Sequence, residues 1–246
     1  MPRTRPDTSS CAAIAALRIR VIYGHGLSAC PEWPGMDIMN DLTAALFDDA
    51  FAGELDPFAI FEAWFAEASA SEINDPNAMA LATVEADGLP DLRMVLLNAR
   101  DARGFAFFTN FGSAKGQALL ANPKAALLFH WKSLRRQIRI RGPVETVSDA
   151  EADAYFATRH PDSRRGAHAS RQSRPLASRA VLEAEMAEIA RRYPSDAVPR
   201  PAYWSGFRVR PLTIEFWRDG AHRLHDRVLF RRDDLDSPWA RTRLYP

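Results

Sequence analysis

The chain has 246 residues, 47% of them hydrophobic, and a formal net charge of +1 at pH 7. That length and apolar content suit one large core or two small ones and exclude general disorder. The balanced charge argues against a general nucleic-acid or membrane-surface binder, which would carry a basic excess, and no apolar run is long enough to span a bilayer.

Both cysteines, Cys11 and Cys30, lie near the start, so the rest of the chain has no disulfide framework, thiolate zinc site or cysteine nucleophile. Of the 32 basic residues only Lys115, Lys124 and Lys132 are lysines. The apolar stretch Cys11 to Leu17 is interrupted by Arg18 and Arg20 too soon for a secretory core. Residues 1–35 are therefore expected to form a poorly ordered extension, and residues 36–246 a single domain of a cytoplasmic protein.

From Asp56 the elements follow in order. Asp56-Pro57 supplies an N-cap and a first-turn proline, and Phe58, Phe61 and Phe65 follow at helical spacing. Ala78 to Ala86 and Asp91 to Leu97 flank an Asp87-Gly88 turn signal, which predicts an antiparallel hairpin. Phe105 to Thr109 reads as a strand, Ser113 to Leu120 as a helix capped by Ser113, and Ala125 to Trp131 and Gln137 to Val147 as two longer strands. Ser148 with Glu151 forms a capping box opening a helix to about Thr158, and Ser178 opens another to Arg192. Between them Arg159 to Arg174, rich in Arg, Ser and His, is expected to be a functional loop. Strands at Gly206 to Val209, Thr213 to Trp217 and Arg223 to Arg231 close the chain. The expected class is mainly β with flanking helices, an antiparallel barrel.

Several polar groups fall where chemistry could be done. If Arg223, His225 and Arg227 sit on a strand, their alternation puts all three on one face, where guanidinium groups grip an anion beside a titratable imidazole. A solvated edge strand explains the same pattern. Arg93 heads an apolar run, where it must reach solvent or find an anion. Thr109, Ser113 and Lys115 gather at one helix start, a reasonable phosphate site. Gln137, Arg139 and Arg141 share a strand face that solvent would also explain. Tyr155, Arg159 and Ser163, four apart across a helix end, could surround a second phosphate, and Gln172-Ser173 suits a heteroaromatic edge.

Taken in order, Arg93-Met94-Val95-Leu96-Leu97, Phe105 to Asn110, Asn122-Pro123, Gln137 to Gly142, Ala154 to Arg159, Arg171 to Pro175, Ile214 to Trp217 and Arg223 to Arg227 resemble the pyridoxamine 5'-phosphate oxidase family. The resemblance covers the chain from about Asp56 to Pro246. It implies a homodimeric split β-barrel that binds FMN in two clefts between subunits. It places Arg93, Lys115 and Ser173 around the FMN phosphate and ribityl chain, and the run Met94 to Leu97, with Val95 and Leu96 between, beside them. Phe108, Thr109, Gln137, Gln172, Trp217 and Arg227 would also contact the cofactor, some from the other subunit. Tyr155, Arg159 and Ser163 match the substrate-phosphate pocket, and Arg223 and His225 the catalytic residues covering the pyridine ring.

The implied reaction oxidises pyridoxamine or pyridoxine 5'-phosphate to pyridoxal 5'-phosphate, with oxygen as acceptor and hydrogen peroxide released; no metal, nucleic acid or membrane is expected. Three positions depart from the pattern. Asn98 stands where the family usually has a substrate-binding lysine, Ala114 where arginine is common, and His168 where tryptophan is frequent. Each lost cation removes a contact worth roughly 1.5–3 kcal/mol, which is about ten- to a hundredfold in affinity. The alternatives are a related flavin oxidase acting on another cyclic substrate, of the phenazine-forming type, and a non-catalytic binder of FMN or pyridoxal phosphate.

Overall fold

A computed structural model describes residues 42–246, and the expected extension at residues 1–35 lies outside them. Residues 42–46 are helical (α1). The remaining helices are α2 (Pro57–Ser71), α3 (Ala114–Ala121), α4 (Asp149–Thr158), α5 (Pro161–Ala169) and α6 (Arg179–Arg192). The strands are β1 (Ala78–Val84), β2 (Pro90–Leu96), β3 (Ala99–Asp101), β4 (Gly104–Asn110), β5 (Lys124–Trp131), β6 (Arg136–Thr146), β7 (Trp204–Val209), β8 (Thr213–Arg218), β9 (Asp226–Arg231) and β10 (Ala240–Arg243).

Every strand pairing is antiparallel, along the path β10-β9-β8-β6-β5-β1-β2, with a second branch β3-β4-β7 that also joins β6. The branch point is built into β6, whose residues Arg136 to Arg141 pair with β8 while Val144 to Thr146 pair with β7. Gly142-Pro143 lies at the changeover. A Cβ at Gly142 would sit 1.9 Å from the Arg210 carbonyl oxygen, so only glycine lets the two chain segments cross there. One strand thus belongs to two sheets, and the sheet curls into a split barrel.

Helix α2 fills its interior. Asp56 caps it by accepting from the Phe58 amide, Pro57 starts it, and Ile60, Phe61, Trp64 and Ala68 form its buried stripe. Phe61 packs edge-on against Phe105 and Phe129 at centroid distances of 4.8 and 5.2 Å, and Trp64 against Phe216 at 5.2 Å. Burying each such side chain contributes roughly 1.5–3 kcal/mol, so α2 holds the barrel walls together rather than decorating them. Strand alternation follows from this: Ile138, Ile140, Ile214, Phe216, Val228 and Phe230 face inward, while Arg139 and Arg141 are exposed.

The outer face of β2 has a different character. Leu92, Met94 and Leu96 are 64%, 63% and 45% exposed, and their cross-strand neighbours are Ala82, Ala80 and Ala78. Ala80 in turn pairs with Leu128. This is a continuous apolar surface.

Two expectations need correction. Arg159 to Arg174 is not a loop throughout, because α5 occupies Pro161–Ala169, with Pro161 in its first turn and the His160 ring accepting from the Asp162 amide. Its polar sequence carries no apolar period, so its helical character was hidden. The last long strand begins at Asp226, not Arg223; His222 and Arg223 have φ of 55° and 64°, which bends the chain into a 3-10 turn. Arg223, His225 and Arg227 therefore do not share a strand face. Ser178 is the N-cap of α6, which runs to Arg192 as expected, although its side chain makes no capping bond. The short strands β3 and β10 had no expectation attached. Among the described residues no helix is long and apolar enough to cross a membrane.

Candidate active site

A cavity of about 500 Å³ opens between β2, β4 and the α4-α5 pair. Its position follows from how α4 is anchored. Ser148 and Glu151 form the capping box expected from the sequence. The Arg208 side chain, 2% exposed, donates to Glu151 at 2.6 Å and to Asp101 of β3 at 3.1 Å. Arg200 donates to Asp153 at 2.6 Å, Asp149 at 2.8 Å and the Trp204 carbonyl at 2.8 Å. Guanidinium groups with several fixed acceptors are rigid struts, and these two fix the helix that carries Tyr155.

Tyr155 is then held on both its face and its tip. Its ring stacks on Phe108 with centroids 4.2 Å apart and planes 13° off parallel, and Phe108 stacks in turn on Trp204 at 5.5 Å. Asn98 donates from Nδ2 to the Tyr155 hydroxyl oxygen at 2.6 Å, while its Oδ1 accepts from the Phe108 amide at 3.3 Å. Asn98 therefore works as a brace between β4 and α4.

Arg159 ends α4 as its C-cap, and Ser163 follows in α5; both line the cavity with Tyr155. The spacing of four survives although the helix breaks between them. The Arg159 guanidinium lies 4.8 Å over the Trp204 ring. Its Nη1 is buried and has no hydrogen-bond partner among the described residues. Burial pulls its pKa below the ordinary arginine range, yet arginine remains a cation at neutral pH. A half-buried cation with an unmet donor suits an anionic partner.

A second cation stands at the other end. Ser113 caps α3 by accepting from the Gly116 amide, and Lys115 follows in the first turn. Lys115 Nζ reaches Thr109 Oγ1 at 3.5 Å, and Thr109 Oγ1 donates to Gln172 Oε1 at 3.3 Å. Burial first, and the charge of Arg93 second, lower the Lys115 pKa. Arg93 itself donates to Thr83 Oγ1 at 2.7 Å and the Leu81 carbonyl at 3.3 Å and is paired with Asp91.

Of the residues singled out by sequence, Met94, Val95, Leu96, Asn98, Phe108, Thr109, Lys115, Gln172, Tyr155, Arg159 and Ser163 meet in this cavity. Leu97 does not; it is buried in the core. Ser173 borders a neighbouring cavity of about 350 Å³ with Ala114 and Arg174. Gln137, Trp217 and Arg227 form one cross-strand row over β6, β8 and β9. Trp217 also lines a cavity with Arg223 and His225, in the turn between β8 and β9. Sequence reading missed Trp204, which completes the aromatic stack. It also missed Glu215, a 4% exposed carboxylate that accepts from Arg227 at 2.9 Å and pairs with Arg139. Alternation along β8 puts Glu215 opposite Arg139, so that pair was open to inference.

Fold and site together define a split-barrel protein whose main cavity is lined by two cations, Arg159 and Lys115, and by the aromatic stack of Phe108, Tyr155 and Trp204. The sequence profile of pyridoxamine 5'-phosphate oxidase matches residues 65–193, and that of the pyridoxine 5'-phosphate oxidase C-terminal dimerisation region matches residues 204–246. A pyridoxine/pyridoxamine 5'-phosphate oxidase of Nitrobacter winogradskyi is 62% identical over 213 residues, covering 85% of this chain and 100% of the relative. One of Allorhizobium ampelinum is 61% identical over 207 residues, 84% of this chain and 98% of the relative. Among solved structures, PhzG from Burkholderia lata in complex with tetrahydrophenazine-1-carboxylic acid superposes with a TM-score of 0.74 at 30% identity, covering 87% of this chain and 97% of that one. The chain belongs to the pyridoxamine 5'-phosphate oxidase family.

Proposed function

We infer that the protein is an FMN-dependent oxidase that converts pyridoxamine or pyridoxine 5'-phosphate to pyridoxal 5'-phosphate, with molecular oxygen as acceptor and hydrogen peroxide released. The observation that carries this is the orphaned Arg159 Nη1 beside Tyr155 and Ser163. It asks for a small anion at one end of a slot whose other end holds Lys115. The relatives at about 60% identity support this substrate over the ring system bound by PhzG.

The residues present fit FMN. Lys115, pressed by burial and by Arg93, gains a counter-ion from a phosphate. Thr109 and Gln172 offer hydroxyl and amide groups nearby, and a 500 Å³ cavity is of the size that holds such ligands. Bound FMN supplies hydride acceptance and reoxidation by oxygen. The chain's own residues position the reactants: Arg159, Tyr155 and Ser163 hold the substrate phosphate, and the Phe108, Tyr155 and Trp204 stack keeps that pocket rigid. Arg223 and His225, in the β8-β9 turn, would hold the substrate's ring, and Arg227, Trp217 and Gln137 would contact the cofactor.

The two groups of residues occupy separate cavities in one chain, which supports a homodimer in which each subunit completes the other's cleft. The apolar face of Leu92, Met94 and Leu96 supports it further, because Met94 and Leu96 also line the main cavity. Residues 36–246 would then form one FMN-binding domain, and we assign the enzyme to the cytoplasm. An anaerobic titration tests the reading: added pyridoxamine 5'-phosphate should bleach the flavin absorbance. A yellow protein that bleaches only with another cyclic substrate would overturn it, and a colourless protein would remove the flavin assignment as well.

A further inference from the structure

The β8-β9 turn holds His225 by more than its place in the chain. The Gly220 amide donates to His225 Nδ1 at 3.2 Å, and Asp219 Oδ1 lies 3.2 Å from the same nitrogen. The second Asp219 oxygen pairs with Arg135, and the Asp219 amide donates to the Arg135 carbonyl at 3.1 Å. Trp217 lies against the imidazole with centroids 4.6 Å apart. One edge and one face of the ring are thus fixed, and Nε2 takes no partner among the described residues. The turn is tight enough that a Cβ on Gly220 would meet the Leu224 carbonyl at 2.0 Å. That closeness returns His225 to Asp219.

We propose that Asp219 is a positioning residue for His225, holding the doubly protonated ring in the orientation that the Gly220 amide gives the neutral ring. This rests on the reading of His225 as a substrate-facing group. A ring nitrogen can accept or donate, but not both. While the Gly220 amide donates to Nδ1, the neutral ring carries its proton on Nε2 and faces a substrate as a donor. A second proton enters at Nδ1, where the amide must give way. Without another acceptor the ring would turn; Asp219 accepts that Nδ1–H in a charge-assisted bond. Arg135, on the other oxygen, keeps the carboxylate from swinging out. Among the described residues lining this cavity, Arg135 and Arg223 are cations, His222 is a second imidazole, and Asp219 is the carboxylate.

The test compares Asp219→Ala and Asp219→Glu in FMN-loaded enzyme with pyridoxamine 5'-phosphate as substrate. Asp219→Ala should lower kcat about ten- to a hundredfold, up to the loss that misplacement by an ångström can cause, while KM and FMN affinity hardly change; Asp219→Glu should restore most of the loss. Proton NMR of the unsubstituted protein, acidified until imidazoles are protonated, should show a downfield His225 Nδ1–H resonance that disappears in Asp219→Ala. An unchanged kcat in Asp219→Ala, or a resonance that persists, overturns the proposal. If the unsubstituted enzyme neither binds FMN nor turns over, the oxidase reading falls, and the resonance alone still decides whether Asp219 holds the ring.

Discussion

Asn98 and Tyr155, 57 positions apart, are joined by a 2.6 Å hydrogen bond from the amide nitrogen to the phenol oxygen. A neutral side chain here braces the proposed phosphate pocket instead of adding charge to it. Asn98→Ala should raise KM for pyridoxamine 5'-phosphate about three- to tenfold, the worth of one ordinary hydrogen bond. Asn98→Lys loses the acceptor for the Phe108 amide but adds a cation beside Arg159 and Ser163, and since a charge-assisted contact outweighs a neutral one it should lower KM. Steady-state kinetics of both variants decides this, and a higher KM in the lysine variant would count against the assigned pocket.

Arg159→Met keeps much of the side chain's bulk over Trp204 and removes the cation. KM for the phosphorylated substrate should rise about ten- to a hundredfold, in line with roughly 1.5–3 kcal/mol for a charge-assisted contact. FMN affinity, followed by fluorescence quenching, should stay the same. Equal loss of both would mean that Arg159 serves the cofactor.

Lys115 has a direction in pH. Its pKa lies below the ordinary lysine value of 10.5 through burial and the charge of Arg93, so in the free protein the ammonium is lost earlier on the alkaline side than for a solvated lysine. Since the phosphate needs the protonated form, FMN affinity should fall as pH rises toward that range. Lys115→Arg should flatten the dependence, because arginine stays charged. A flat profile in the unsubstituted protein would remove Lys115 from the phosphate site.

Gly142→Ala forces a Cβ against the Arg210 carbonyl where β6 passes from one sheet to the other. Overpacking of this kind costs about 1–3 kcal/mol. Thermal unfolding should show a lower Tm, with the flavin lost in the same transition. An unaltered Tm would mean that the crossing is looser than its geometry.

Much of this architecture was legible where local chemistry dictates it. Asp56-Pro57, Ser113 and the Ser148 and Glu151 pair announce helix starts because caps act within one turn. Helix α5 was hidden because its sequence is polar almost throughout and its stability comes from Pro161 and from packing on α6. The strands β3 and β10 have three and four residues, too few for alternation to register. The Arg223 to Arg227 alternation misled because polar residues at every second place fit a turn as well as a strand, and nothing in His222 or Arg223 signals a positive φ. At the site, Tyr155, Arg159 and Ser163 were legible through their spacing. Trp204 and Asp219 were not, since their partners, Phe108 and His225, become neighbours only through tertiary pairing and a tight turn.

Leu96 and Met94 contribute to two surfaces at once, the wall of the main cavity and the bare apolar face of β2. If this cavity holds the flavin, subunit association and flavin retention are coupled by mass action: dilution that splits the pair should also release the cofactor, and excess FMN should push separated chains back together. Flavin fluorescence, quenched in the bound state and bright in the free one, would then report how far the pair has separated.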